Sequence, residues 1–202
     1  MNLIVAALAF ASVFPAQSGS DGWQQILHTP ELTVWSRPHA GTDVNEMRAV
    51  GVVDARAADL WALVSDVEGH TRLLPHTTVS RVLRTEGDAA IALQRTETPF
   101  LDPREYVIAV RRTSTRTADG RALHAMSWRT APQWAQAVDP AAVRIDVNQG
   151  EWTVEALQDG RSRITFQLLL DPAGSIPASF VNFSQAAGAE RALAVLRSAA
   201  AN

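Results

Sequence analysis

Asp171-Pro-Ala-Gly-Ser-Ile-Pro-Ala-Ser-Phe-Val-Asn182 decides how this chain is read. Before it, Arg163-Ile-Thr-Phe-Gln-Leu-Leu-Leu170 has a strand pattern, which Asp171, Pro172 and Gly174 break. Ser175 is placed to cap a helix, because a hydroxyl can accept an orphan backbone N–H of the first turn. Pro177 falls in that first turn, where a missing N–H costs nothing. No proline follows, and Ala and Leu dominate, so the spacing predicts one helix from Ile176 to Ala200, roughly 37 Å long at 1.5 Å per residue. Ile176, Phe180, Phe183 and Ala187 form an apolar stripe at helical spacing, and beyond Gly188 the stripe rotates to Leu193 and Leu196. A long helix after many strands suits a lid over a curved sheet.

Working back from that helix, the chain alternates. Glu31–Arg37 and Glu46–Val53 read as paired strands around a turn at residues 38–43. A helix opens at Asp54 or Ala55, with Ala57, Leu60, Trp61, Val64 and Val67 on one face. His70-Thr-Arg-Leu-Leu-Pro75 follows Gly69 as a turn or second helical piece. Strands are then expected over Val79–Leu83, Ala90–Thr96, Arg104–Thr113, Ala122–Arg129, Val143–Val147, Glu151–Leu157 and Ile164–Leu170. Glu86-Gly-Asp88, Asp119-Gly120 and Asp159-Gly160 supply hairpin turns. One apolar and one polar face per strand is the pattern of an antiparallel sheet covered on one side. No linker or repeat divides the region, which reads as one domain over residues 19–202.

The composition narrows the function. Of 202 residues, 47% are hydrophobic and 19% charged, with net charge −3. Lys is absent and Arg supplies all 18 cations, so nothing in the charge balance favours nucleic acid. Cys is absent too, which removes disulfides, thiol nucleophiles and thiolate metal sites. Residues 1–18 read as a signal peptide: Leu3 to Phe14 is an apolar run too short to span a bilayer, and Ala16-Gln-Ser18 is a small-x-small cleavage pattern. Its n-region lacks Lys and Arg, which is atypical. The expectation is an exported protein, periplasmic or secreted.

Several segments carry a family resemblance. Asp102-Pro-Arg-Glu-Tyr-Val107 resembles the P-R-D-[FY]-V element of StAR-related lipid-transfer (START) domains, with Glu105 in the place of the aspartate. The Asp171–Asn182 stretch is similar to the element before their last helix, and Arg144, Gly150 and Trp152 match an arginine before a Gly-x-Trp strand. The likeness runs from Trp23 to Ala200. It implies an α+β helix-grip fold, a curved antiparallel sheet wrapped around the long C-terminal helix, enclosing one lipid-like molecule in a hydrophobic tunnel. With the alternation, the wall is expected from Ile91, Leu93, Tyr106, Ile108, Val110, Met126, Trp128, Val143, Ile145, Trp152, Phe166 and Leu168 on strands. Phe180, Phe183 and Ser184 are expected from the helix. Val110 and Ile91 stand near the places where steroid-binding members resemble one another in a buried arginine and acidic pair, which implies a more uniformly apolar ligand.

No catalytic motif competes with that reading: there is no Gly-x-Ser-x-Gly, phosphate loop or His-Glu-x-x-His. No metal or cofactor is expected. His70 and His76 flank a turn and read as a solvated loop pair. Arg104 reads as a hairpin lock with Asp102 and Glu105 as ion-pair partners, and Arg144 as a cross-sheet partner of Glu155. Two functions remain. One is a monomeric carrier of a lipid or other hydrophobic small molecule with transient membrane contact. The other is an aromatase/cyclase-type enzyme on the same fold, which needs an inward polar cluster; the alternation offers only Tyr106 and Ser184. Gly174 and Gly188 are the points where the lid helix would bend, or Gly188 a point of close helix–sheet approach.

Overall fold

Alternation of apolar and polar residues builds a sheet of ten strands, seen in a computed structural model that describes residues 22–200. The expected leader lies outside those residues. In chain order the elements are β1 (Gln24–His28), β2 (Leu32–Arg37), β3 (Glu46–Val53), α1 (Ala57–Ser65), α2 (His70–Leu73), β4 (Thr77–Glu86) and β5 (Ala89–Thr96). Then come β6 (Arg104–Arg116), β7 (Ala122–Thr130), a 3-10 helix (Pro132–Ala137), β8 (Val143–Arg144), β9 (Val147–Ala156), β10 (Ser162–Asp171) and α3 (Ala178–Ala200). The strand order is β1-β2-β3-β10-β9-β7-β6-β5-β4, with β8 beside β6. Every ladder is antiparallel except the short β6–β8 pairing. The sheet packed against a long C-terminal helix is the helix-grip architecture that the sequence implies.

Two strand expectations change. Gln24–His28 does not alternate, yet it pairs with β2 as an extra edge strand. The expected Val143–Val147 strand is divided: Val143 and Arg144 join β6, while Val147 begins β9, which runs through Gly150 without a break. Glycine interrupts a strand on paper because it has no side chain to pack. Here the space left by its missing side chain is used.

The inward faces of the strands meet α1 and α3 on one side of the sheet. Met47, Ala49 and Val53 of β3, Val154 of β9 and Ile164 of β10 are buried together with Leu60 and Val64 of α1 and Leu193 and Leu196 of α3. Gly51 of β3 admits the helix: a Cβ there would lie 2.7 Å from Leu193 Cδ2 and 3.0 Å from the Glu31 carbonyl. Each fully buried leucine stabilises this union by roughly 1.5–3 kcal/mol. On the opposite face of the sheet a smaller cluster of Leu93, Val107, Ala109 and Ala131 is covered by Trp134 of the 3-10 helix.

The two halves of α3 are held differently. Its first half is fastened by polar groups: Asn182 Oδ1 accepts from the Asn45 N–H at 2.8 Å, and Gln185 Nε2 donates to the Asn45 carbonyl at 2.6 Å while its Oε1 accepts from Ser36. Its second half buries Ala189, Ala192, Leu193 and Leu196, and Arg197 pairs with Glu31 and donates to the Val52 carbonyl. The helix starts at Ala178, with the Pro177 carbonyl accepting from Phe180 and Val181. It runs unbroken through Gly188, which has no neighbour within 4 Å of an added Cβ, so close approach to the sheet is not what this glycine serves.

The two family-like segments meet in space. Arg104 is buried; its Nε donates to the Pro172 carbonyl at 3.1 Å and its Nη1 to the Asp102 carbonyl at 2.5 Å. It therefore locks the loop before α3 onto the start of β6, rather than forming the expected ion pair. Glu105 instead takes Arg95 at 3.1 Å and the Asp139 backbone N–H at 2.7 Å. Arg144 pairs with Asp146, two residues on, and Glu155 with Arg121 and Arg163, so the expected Arg144–Glu155 pair is replaced by nearer partners.

Candidate functional site

Between α3 and the inward face of the sheet lies a cavity of about 260 Å³. Its floor is aromatic. Trp152 and Phe166 stack with ring centroids 4.1 Å apart and planes at 18°, and Phe166 lies 6.1 Å from Trp128. Aromatic pairs of this kind contribute about 0.5–1.5 kcal/mol beyond the area they bury. Trp128 fits because the residue opposite it in the β7–β9 ladder is Gly150. Tyr106, Ile108 and Val110 of β6 and Met126 of β7 continue the wall, with Leu168 and Leu170 of β10 and Met47 of β3 closing the other side. The roof is α3, through Val181, Ser184, Gln185, Gly188, Ala189 and Ala192. At one end, Leu74, Pro75, Thr77 and Thr96 complete the lining.

Nine of the fifteen wall residues expected from the sequence line this space: Tyr106, Ile108, Val110, Met126, Trp128, Trp152, Phe166, Leu168 and Ser184. Six lie elsewhere. Ile91 and Leu93 face the smaller cluster under Trp134, because that outer face is itself covered and so also takes large apolar residues. Their neighbours Ala92 and Gln94 point the other way, opposite Ile108 and Tyr106. Ile145 is buried in the main core without lining the cavity, and Val143 lies by the Gly174 turn. Phe180 and Phe183 point outward, 62% and 86% exposed. The inward helix face is set by Val181, Ser184, Gln185 and Gly188, one to two positions round from the stripe of largest apolar residues. Ser184, Gly188, Ala189 and Ala192 are small, which leaves room between the helix and the aromatic floor.

The polar lining was largely invisible in the sequence. His70, read as solvated, is 3% exposed; its Nε2 lies 3.0 Å from the Val64 carbonyl and its Nδ1 3.1 Å from Gln94 Nε2. Gln94 also donates to Ser80 Oγ at 2.8 Å. Burial pushes the His70 pKa below its usual value, since a cation there would be poorly solvated, and the Val64 bond only partly offsets this. Asn148 Oδ1 accepts from the Trp128 indole at 2.9 Å. Burial pushes the Tyr106 phenol up to about 12, with a hydrogen bond from Asn148 acting the other way. Gln94 was discoverable in one respect: it sits opposite Tyr106 in register, so whatever faces Tyr106 inward faces Gln94 inward too. No Asp, Glu or Arg lines the cavity among the described residues, and no group of acidic and histidine residues there is arranged to hold a metal.

Pro75, Thr77 and Thr96 place the α2–β4 and β5–β6 loops at one end of the cavity, and Leu170 leads from its wall into the β10–α3 loop. Each carries a non-glycine residue at positive φ: His76 at 64°, Phe100 at 68° and Ala173 at 56°. The Glu97 N–H donates to the His76 carbonyl, and Arg104 joins the Phe100 and Ala173 loops. Phe100 is fully exposed and Leu101 is 38% exposed. Left-handed backbone at such residues is uncommon and clusters at functional rims.

A Xanthomonas axonopodis STAR-related lipid transfer protein has a similar structure, with a TM-score of 0.76 at 21% identity, covering 90% of this chain and 100% of that one. Human StAR-related lipid transfer protein 5 gives a TM-score of 0.79 at 18% identity over 91% of this chain and 88% of its own. At these identities the likeness shows the shared fold. An uncharacterised Pseudomonas aeruginosa protein is 25% identical over 182 residues, 90% of this chain and 88% of its own. The family described as polyketide cyclase / dehydrase and lipid transport matches residues 53–197, more than half of the 202-residue chain, and the protein belongs to that family.

Proposed function

We propose that this protein is a carrier that binds one hydrophobic small molecule between α3 and the sheet and exchanges it at a lipid surface. The observation that carries the reading is the cavity itself: about 260 Å³, walled mainly by apolar and aromatic side chains with a few convergent polar groups. That is the character of a ligand pocket. Phe100 and Leu101 in one rim loop, and Phe180 and Phe183 on the outer face of the roof helix, are exposed. Aromatic residues so placed favour shallow insertion at a membrane interface beside the cavity's end. The leader-like residues 1–18 support an exported carrier, periplasmic or secreted.

An enzyme of the cyclase kind is the second reading, favoured by the inward Tyr106, Asn148, Gln94 and His70. Against it, both His70 nitrogens are engaged and the Tyr106 phenol is pushed up to about 12, so neither is poised for proton transfer near neutral pH. The test is extraction of purified protein with organic solvent and mass spectrometry of what is released, alongside titration with a neutral fluorescent apolar probe. One co-purifying hydrophobic species, and saturable probe binding that it reverses, are expected. No extracted species and no saturable binding would sink the carrier reading.

A further inference from the structure

We infer that the cavity selects a small neutral molecule bearing a hydroxyl group, which Gln94 and Tyr106 receive together; this rests on the carrier reading and specifies its ligand. The directions of the hydrogen bonds lead there. The Val67 carbonyl can only accept, so the Ser80 hydroxyl donates to it. The Val64 carbonyl likewise fixes the His70 proton on Nε2, and a buried neutral ring then leaves Nδ1 bare. Both Nδ1 and Ser80 Oγ must take protons from the Gln94 amide, at 3.1 and 2.8 Å. A flipped amide would set its carbonyl against two acceptors. Both Gln94 N–H groups are thus engaged, and what remains for the cavity is its Oε1, an acceptor.

Tyr106 faces Gln94 directly across the β5–β6 ladder, where side chains on one face start about 5 Å apart. The Asn148 carbonyl is taken by the Trp128 indole, so toward the Tyr106 oxygen Asn148 has only amide hydrogens to offer. The phenol proton is left to donate. An acceptor and a donor side by side match a hydroxyl, which donates to Gln94 and accepts from Tyr106. A carboxylate offers no donor and brings a charge that no cation in the wall offsets; an ammonium offers no acceptor and meets no carboxylate. At about 260 Å³ the space falls just below the ~300–1,000 Å³ typical of drug-sized ligands. One short chain or a few rings fit, and a two-chain lipid does not.

The probe is N-phenyl-1-naphthylamine bound to the full chain, displaced by decan-1-ol, by its isomer methyl nonyl ether, or by decanoate at pH 8. The ether is the more apolar isomer, so simple partition favours it. Displacement by the alcohol at about tenfold lower concentration than by either competitor is expected, and Gln94→Leu should reduce that advantage to below about twofold. Equal displacement by alcohol and ether, or tighter binding of decanoate, overturns the inference and leaves the carrier reading standing. Failure of the naphthylamine to bind saturably overturns both. Should Gln94→Leu not fold, the wild-type comparison of the two isomers decides alone.

Discussion

Gly150 lies directly opposite Trp128, and a Cβ on it would come within 2.4 Å of the indole and 2.4 Å of the Gln167 carbonyl. The indole is thereby free to lie against the strand and donate to Asn148, which makes it part of the cavity floor. Gly150→Ala should force the ring into the cavity and press on backbone that cannot yield. A loss of about 1–3 kcal/mol is expected from overpacking, with weakened probe binding by the folded fraction. Denaturant melts and the probe titration measure the two effects separately.

His70 predicts an acid-sensitive stability. Its folded pKa lies below the usual 6.5, because burial disfavours the cation. The unfolded chain therefore takes up a proton first as pH falls, and this group's contribution is complete above pH 6.5 and lost progressively below it. The slope is at most about 1.4 kcal/mol per pH unit. The thermal midpoint should drop between pH 7.5 and 5.5 in the wild type and drop less in His70→Gln. An equal drop in both would remove His70 as the cause.

Gly188 faces the cavity from inside α3 with open space where a Cβ would go. Gly188→Ala should stabilise the helix by roughly 0.5–1 kcal/mol while occupying cavity volume. Thermal stability is expected to rise and affinity for the larger apolar probes to fall. If the glycine served as a bending point instead, uptake would slow at unchanged affinity, a distinction that stopped-flow and equilibrium titrations resolve.

Phe100 and Phe183 are exposed and touch no core, so replacing both with Ser should leave the melting temperature within about 2 °C, as surface changes usually do. Association with phospholipid vesicles should weaken at least about tenfold, since each buried aromatic ring is worth roughly 1.5–3 kcal/mol. Vesicle co-sedimentation is the measurement. Unaltered sedimentation would place the membrane contact elsewhere.

The order of elements and the lid helix were legible because period-two and helical patterns, with Asp171-Pro and the hairpin glycines, are written locally. The aromatic floor was legible for the same reason: Trp128, Trp152 and Phe166 alternate cleanly with polar neighbours. What failed was the assumption that large apolar residues mark the cavity. Ile91 and Leu93 answer to a second covered face that a lone strand pattern cannot reveal, and Phe180 and Phe183 to solvent. The polar lining failed differently. Gln94 and Asn148 are satisfied inside by partners far along the chain, and His70 needs Gln94 as well as the nearby Val64 carbonyl, so no local window shows these groups paired.

The divided fastening of α3 has a thermodynamic consequence. Releasing its first half breaks the Asn182 and Gln185 bonds and wets the cavity wall alone, leaving the packed leucines of the second half covered. Such a motion carries a smaller heat-capacity change and a smaller denaturant slope than global unfolding, since both scale with the surface exposed. Releasing the second half uncovers Ala189, Ala192, Leu193 and Leu196 and carries a large one. Amides near Val181 to Gln185 would then exchange at rates that depend less steeply on urea, while those near Leu193 follow global unfolding. Opening over the cavity would then precede any disturbance of the core.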